Sequence, residues 1–337
     1  MFQNILLVLS CPILLLSSSN AFTVPTKLKR NVYDTTRHNN YQLVGPIWNS
    51  IRKETYGEIM VPRPDGNQYK LSYRIVRPMT LLSKKAAPIV VCHGGPSLPS
   101  NYLYPLEHVV PYRSIICYDQ LGCGKSDQPT DKALYSIQAS LDDLDALLHK
   151  LNLPRFHLYG HSFGGILVYE YLKREAERNE NNTRCLSFVL SSTPTSISKV
   201  LQSYIKLEQA LLQNTTFQTM FVSMDERFRQ MHQCRTPEIP LPLQDAYATS
   251  GTVWRGMDVI ADWEAMSDPS YRLPPISCLV LRGEYDFVTQ DCVAAWSQFM
   301  NPIKVRMMEL KDCSHHGLLE CGSMYGELLD DFFTEFD

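Results

Sequence analysis

Hydrophobic positions along this chain fall into short apolar runs separated by longer stretches with helical spacing. Ala87 to Cys92 and Ser114 to Tyr118 are apolar on both faces, as strands buried within a parallel sheet are. Phe156 to Tyr159, Cys185 to Leu190, Pro275 to Leu281 and Val305 to Leu310 predict further strands. Ahead of them, residues 56–62 and 69–77 alternate and predict an antiparallel pair around the turn Pro64-Asp65-Gly66-Asn67. Ile137, Leu141, Leu144, Leu147, Leu148 and Leu151 recur at helical spacing, and Met324 to Phe336 predicts a closing helix. From Pro194 to about Asp262 the pattern changes. Val200, Leu201, Tyr204, Leu207 and Leu211 mark a helix, Phe217 to Met231 a looser one, and a Pro-rich stretch, Pro237 to Pro242, interrupts them. The organisation predicted is an α/β core over 46–193 and 263–337 with a helical cap inserted at 194–262.

Composition narrows the class without naming it. With 337 residues, 44% of them hydrophobic, the chain has ample material for one large core. A formal net charge of −3 gives no general affinity for nucleic acid or an anionic membrane. At the N-terminus, Ile5 to Leu16 is apolar and Ser19-Asn20-Ala21 offers a small-residue cleavage site, which predicts a removed signal over 1–21. The following residues, 22–45, are basic and rich in Thr. Ala21-Phe22 at the predicted cut resembles the bipartite plastid leaders of algae with secondary plastids, so plastid import is expected, with simple secretion as the alternative. No later stretch is apolar enough to span a bilayer. Of ten cysteines, Cys11 leaves with the signal, and Cys92, Cys117 and Cys278 sit in apolar runs. An odd remainder without paired spacing predicts no disulfide framework and fits a reducing compartment. The sequons Asn181-Asn-Thr183 and Asn214-Thr-Thr216 matter only for a secreted chain. No Cys/His cluster has zinc spacing, and no metal or cofactor is expected.

The chemistry centres on Gly160-His-Ser-Phe-Gly164, between a predicted strand and a predicted helix. A G-x-S-x-G turn in that setting is a nucleophile elbow, with Ser162 held on a strained backbone. A serine hydroxyl is a weak nucleophile and needs a base, itself oriented by a third group. Elbow enzymes place these in the order Ser, acid, His. Past the strand at 275–281 stand Glu284 and Asp286; past the last strand stand His315 and His316. Asp286 and His315 are preferred, with Glu284 and His316 as competitors; His161 packs within the elbow. Acyl transfer also needs two N–H donors for its oxyanion. One is the backbone of Phe163, and the other comes from His93-Gly94-Gly95-Pro96, 69 positions before Ser162.

These segments, with Tyr118-Asp-Gln-Leu-Gly-Cys-Gly-Lys-Ser126, Gly283-Glu-Tyr-Asp-Phe-Val-Thr289 and Asp312-Cys-Ser-His315, resemble the proline iminopeptidase family of α/β-hydrolases. The branch containing the tricorn-interacting aminopeptidase is the nearest in look, as the cap fragment His232-Gln-Cys-Arg235 and the approach Asp262-Trp263 also suggest. The resemblance covers roughly residues 55–337. It implies an α/β-hydrolase fold, a mostly parallel sheet flanked by helices under an inserted cap. It implies Ser162 as nucleophile, Asp286 as acid and His315 as base, releasing N-terminal residues, often proline, from small peptides or amides without a metal. Two positions depart from the family pattern. Ser97 stands where the oxyanion loop usually has glycine. The stretch that carries an ammonium-binding Glu in the family falls near Ser250 to Arg255 and holds no acid; Trp254 and Arg255 are there instead. Substrate contacts are therefore expected from Trp254, Tyr247 and Glu226, with Asp225, Glu238 and Asp245 as other sources of negative charge. The alternative is an esterase or amidase acting on a hydrophobic acyl substrate. A non-catalytic binding protein of the same fold is disfavoured because no triad member is missing, and the epoxide hydrolase and dehalogenase chemistries need a carboxylate where Ser162 stands.

Overall fold

The computed structural model describes residues 52–78, 86–178, 184–214, 221–265, 275–300 and 304–337. The predicted signal, the leader and the sequon Asn181-Asn-Thr183 lie outside these residues. Eight strands form one sheet in the order β1-β2-β4-β3-β5-β6-β7-β8. Strands β1 (Arg52–Pro62) and β2 (Gln68–Pro78) are the expected hairpin, paired in register from Arg52 opposite Pro78 to Pro62 opposite Gln68. Strand β2 lies antiparallel to β4 (Ile115–Tyr118); from β4 onward the sheet is parallel, through β3 (Ile89–Cys92), β5 (Phe156–His161), β6 (Cys185–Ser191), β7 (Ser277–Gly283) and β8 (Val305–Leu310). Strands β3, β4, β5 and β7 are buried at every residue, which is why they read as unbroken apolar runs. Strand β8 is an edge, and its side chains alternate between half-buried and exposed over Val305 to Met308.

Helices cover both faces of the sheet. Helix α1 (Ile137–Leu151) turns Leu141, Leu144, Leu147 and Leu148 inward; Ser136 Oγ caps its start by accepting Ala139 N–H at 3.0 Å, and Asn152 in the left-handed region ends it. Helix α2 (Phe163–Glu177) follows β5 directly. Between β6 and β7 the chain runs through α3 (Ile197–Gln213), α4 (Met224–Phe228), a π-helical turn (Arg229–Gln233) and α5 (Leu241–Ala248). After β8, a short turn at Gly317–Glu320 leads into α6 (Gly322–Glu335), which seats Tyr325, Leu329, Phe332 and Phe333 in the core on one face of the sheet. The opposite core gathers α1, α2 and the first turns of α3. No described helix is long and apolar enough to cross a membrane.

One cysteine expectation is corrected. Cys313 and Cys321 form a disulfide across eight positions, because the short helical turn between them folds the chain back. Among the described residues the other seven cysteines lie outside any disulfide and are buried, where they pack as small apolar side chains.

Candidate active site

The site lies past the C-terminal ends of β3, β5, β7 and β8, where parallel sheets leave a crevice. Ser162 occupies the junction of β5 and α2 with φ 54° and ψ −120°, a conformation costly for a residue with a Cβ. It persists because the surroundings fix it. Ser162 N–H donates to Ser191 O at 2.8 Å on β6, and Gly165 N–H donates to Ser162 O at 2.9 Å. Gly164 lets the helix start against the end of β3; a Cβ there would lie 2.6 Å from His93 O and closer still to Cys92 O.

The two loops after β7 and β8 meet. His315 Nδ1 lies 2.8 Å from Asp286 Oδ1, and the same oxygen accepts Val288 N–H at 2.8 Å. Asp286 is 1% exposed and His315 is 5% exposed, with the imidazole stacked on Phe287 at 4.1 Å. Glu284 is placed elsewhere: it accepts Asp312 N–H at 3.1 Å and faces Lys311 at 3.8 Å. His316 also points away from either acid, its ring stacked on His161 at 5.3 Å and edge-on to Tyr102 at 5.3 Å. Burial pushes its basicity well below the usual histidine range. Ser162 and His315 line one cavity, and Asp286 stands behind His315.

A chain of hydrogen bonds that sequence reasoning missed ties these parts together. Gly94 N–H donates to Tyr102 Oη at 2.8 Å, and Tyr102 Oη lies 2.8 Å from His161 Nδ1. His161 Nε2 lies 2.9 Å from His315 O. A carbonyl only accepts, so Nε2 carries the proton; burial keeps the ring neutral, which leaves Nδ1 to accept from the Tyr102 hydroxyl. Burial, with the neighbouring His315 second, holds its pKa down to about 3. Ser192 Oγ adds a second donor to His315 O at 3.2 Å. Tyr102 sits in a stretch with no local motif, so nothing near it in sequence marked it. The expected oxyanion glycines are thereby narrowed. Gly94 N–H is engaged by Tyr102, which leaves Gly95, at φ 122°, a value open to glycine. Phe163 N–H is the first orphan donor of α2. His93 Nε2 accepts Gln120 N–H at 2.9 Å while Gln120 Nε2 donates to His93 O at 2.9 Å. Asp119 holds the same loop by accepting from Ser100 N–H, Ser100 Oγ and Lys125 N–H at 2.7 to 2.9 Å. The Tyr118 to Ser126 motif thus braces the oxyanion loop from behind.

The cavity is about 830 Å³ including its open mouth, with Ile166, Ile197, Val200, Met257, Ile260 and Phe287 as its apolar wall. Its polar wall away from Ser162 is Gln233, Tyr247, Ser250 and Arg255. Tyr247 is fixed on this wall, with Gln233 Nε2 donating to its hydroxyl at 3.1 Å. Two expectations fail. Trp254 does not line the cavity; its ring packs edge-on behind Phe163 at 5.4 Å and stacks on Tyr135 at 6.2 Å, and its carbonyl accepts Ser97 Oγ at 2.6 Å. Ser97 takes the left-handed φ of 68° and, through this bond, joins the oxyanion loop to the Ser250 to Arg255 stretch. Glu226 is turned away too, held by Arg229 in a bidentate pair at 2.6 and 2.7 Å because the two lie one helical turn apart. Asp225, Glu238 and Asp245 are exposed, and among the described residues lining the cavity there is no carboxylate side chain. No cluster of three or more metal-ligating side chains is present among the described residues.

A sequence-family model for the alpha/beta hydrolase fold matches residues 87–257. The chain belongs to the α/β-hydrolase family and is a hydrolase. Within the family, the resemblance to proline iminopeptidases is borne out. The proline iminopeptidase of Lactobacillus delbrueckii subsp. bulgaricus is 28% identical over 279 residues, spanning 74% of this chain and 91% of that protein. The solved proline iminopeptidase of Mycobacterium smegmatis shares the fold with a TM-score of 0.67 at 21% identity, over 83% of this chain and 98% of its own. An esterase from Exiguobacterium antarcticum also shares it, with a TM-score of 0.58 at 17% identity, over 82% of this chain and 98% of its own.

Proposed function

We propose that this protein is a serine hydrolase that releases an N-terminal residue, proline or another small apolar one, from peptides or amino-acid amides through an acyl-enzyme. The observation that carries this reading is the Asp286–His315 pair standing at the cavity that Ser162 lines from a strained elbow. Ser162 Oγ attacks the scissile carbonyl while His315 Nε2 takes its proton, and Asp286 holds the imidazole by Nδ1. Phe163 and Gly95 N–H donate to the oxyanion. As the tetrahedral species collapses, His315 returns the proton to the leaving amine. Water then attacks the acyl-enzyme with His315 again as base, which frees the acid and restores Ser162. The proline iminopeptidase relatives support the substrate class.

One observation favours a second reading. A free N-terminal ammonium calls for a carboxylate, yet the described cavity wall offers Arg255 and neutral polar groups. An esterase or amidase acting on a hydrophobic acyl substrate suits that wall. The test is hydrolysis of prolyl- and alanyl-naphthylamide beside their N-blocked analogues and a short acyl ester, with Ser162→Ala as blank. Turnover of the free-amine compounds alone supports the aminopeptidase; equal or better turnover of blocked amides or esters establishes the second reading.

A further inference from the structure

Segment Arg229 to Arg235 does more than connect cap helices. Its π-helical turn is set from within, with Arg229 reaching Cys234 O at 2.9 Å and Thr236 O at 3.1 Å while paired to Glu226. The turn touches both loops of the active site. Toward the loop after β7, Phe287 N–H donates to His232 O at 3.3 Å and His232 Nδ1 lies 2.9 Å from Tyr285 O. Toward the loop after β8, His316 N–H donates to Gln233 O at 3.1 Å.

Arg235 joins the two loops through one side chain. Its guanidinium lies 3.8 Å above the Tyr285 ring, next to Asp286 in sequence, and its Nε donates to Asp312 O at 3.2 Å. Asp312 starts the turn that leads to His315 and has φ 57°, an unfavoured region for a residue with a Cβ. Such a conformation lasts only where its neighbours fix it, and here Glu284 takes its N–H while Arg235 holds its carbonyl. A second hold on the same loop is Glu320, whose carboxylate accepts from Ser314 N–H at 2.7 Å and His316 N–H at 3.2 Å. Tyr285 N–H also donates to Cys313 O at 2.9 Å, so the two loops meet through backbone at the place where the Arg235 side chain spans them.

We propose that Arg235 is a positioning residue, fastening the loop of Asp286 to the loop of His315 so that the cap sets the alignment of that pair. The inference rests on the proposed roles of Ser162, Asp286 and His315. A flat guanidinium can stack on an aromatic ring and donate in its own plane at once, which lysine does less well and methionine does only as a stack.

The test compares wild type, Arg235→Lys and Arg235→Met by the rate of fluorophosphonate labelling of Ser162 across pH, with Ser162→Ala as blank. Melting temperature and titrated active fraction are measured alongside. Misalignment by about 1 Å costs on the order of a hundredfold. Labelling by Arg235→Met is expected to slow roughly ten- to a hundredfold per active site, and Arg235→Lys to recover part of it. The pH dependence separates alignment from charge. The groups facing His315 are Asp286, His161 and His316, with His232, Glu320 and Arg235 beyond. Loss of the Arg235 cation alone favours the imidazolium and moves the acidic limb to higher pH. Loss of alignment with Asp286 removes the imidazolium's counter-charge and moves that limb to lower pH. A downward shift in Arg235→Met, smaller in Arg235→Lys, is expected. An unchanged or upward limb, or a lower active fraction with wild-type rate per site, overturns the proposal while leaving the triad reading intact. Wild type that fails to label at Ser162 overturns the triad reading, and this proposal with it.

Discussion

Adding one methyl group at Gly164 tests whether the elbow and the oxyanion loop are held against each other by hard contact. In Gly164→Ala the new Cβ would stand 2.6 Å from His93 O and nearer still to Cys92 O, whereas ordinary contact begins near 3.4 Å. The shortfall at His93 is therefore roughly 0.8 Å, and both oxygens are backbone, so no side chain can swing away. Either α2 retreats, taking Ser162 and the Phe163 N–H with it, or the end of β3 retreats, taking Gly95. Each movement widens the gap between Ser162 and one of its proposed oxyanion donors by most of an ångström. Overpacking of this kind costs about 1–3 kcal/mol in stability. In a domain of this size each kcal/mol lowers Tm by about 2–4 °C. The catalytic loss is larger, since a displacement near 1 Å costs on the order of a hundredfold. The assay is kcat/KM on whichever chromogenic substrate wild type turns over, with Tm from thermal unfolding. A variant with wild-type kcat/KM and Tm would falsify the claim that close packing at Gly164 sets the site's geometry.

Stability should fall on acidification. His157 and His161 are buried with pKa values held down to about 4 and about 3, burial being the first cause in both. A depressed base contributes stability above its unfolded value near 6.5 and loses it as pH falls toward the folded value, because the unfolded chain binds the proton first. Each imidazole therefore costs about 2 kcal/mol at pH 5 relative to neutral pH. Denaturant titrations of His157→Gln between pH 6.5 and 4 should show a slope shallower by about one proton; an unchanged slope counts against it. Glu226→Gln should leave KM for a free-amine substrate within about twofold and cost about 0.5 kcal/mol, as a half-exposed pair does; a tenfold rise in KM would mean that Glu226 reaches the cavity. Cys313→Ser should cost about 2–3 kcal/mol by reopening a short loop, and dithiothreitol should reproduce the loss in wild type but not in the variant.

Features were legible in the sequence where one local cause sufficed. Strands β3, β4 and β5 are apolar on both faces because a parallel sheet buries them twice, and the elbow is legible because its strain demands small neighbours. Long-range partners left no local trace. Tyr102 meets His161 across 59 positions, and Arg235 meets Asp312 across 77. The two wrong substrate contacts failed for different reasons. The Arg229 that claims Glu226 stands three residues on, a pairing that helical spacing makes readable. Trp254 turned inward because Tyr135 and Phe163, distant in sequence, supply an aromatic slot.

Three imidazoles crowd Ser162, and the choice of base among them is made by their partners. His161, His315 and His316 have ring centroids 4.9 to 5.4 Å apart, so three cations could not coexist there. His161 has both nitrogens bonded, Nε2 as donor to His315 O and Nδ1 paired with the Tyr102 hydroxyl, and burial keeps its ring neutral. His316 is buried against aromatic rings, with the other two histidines lowering it further. Of the three, only His315 has a carboxylate on one ring nitrogen, so only there does the fold provide for the imidazolium that the proposed mechanism requires. Holding the two neighbours neutral keeps their charge from opposing an imidazolium there, and His161 spends its own proton fixing the backbone of the residue proposed as base.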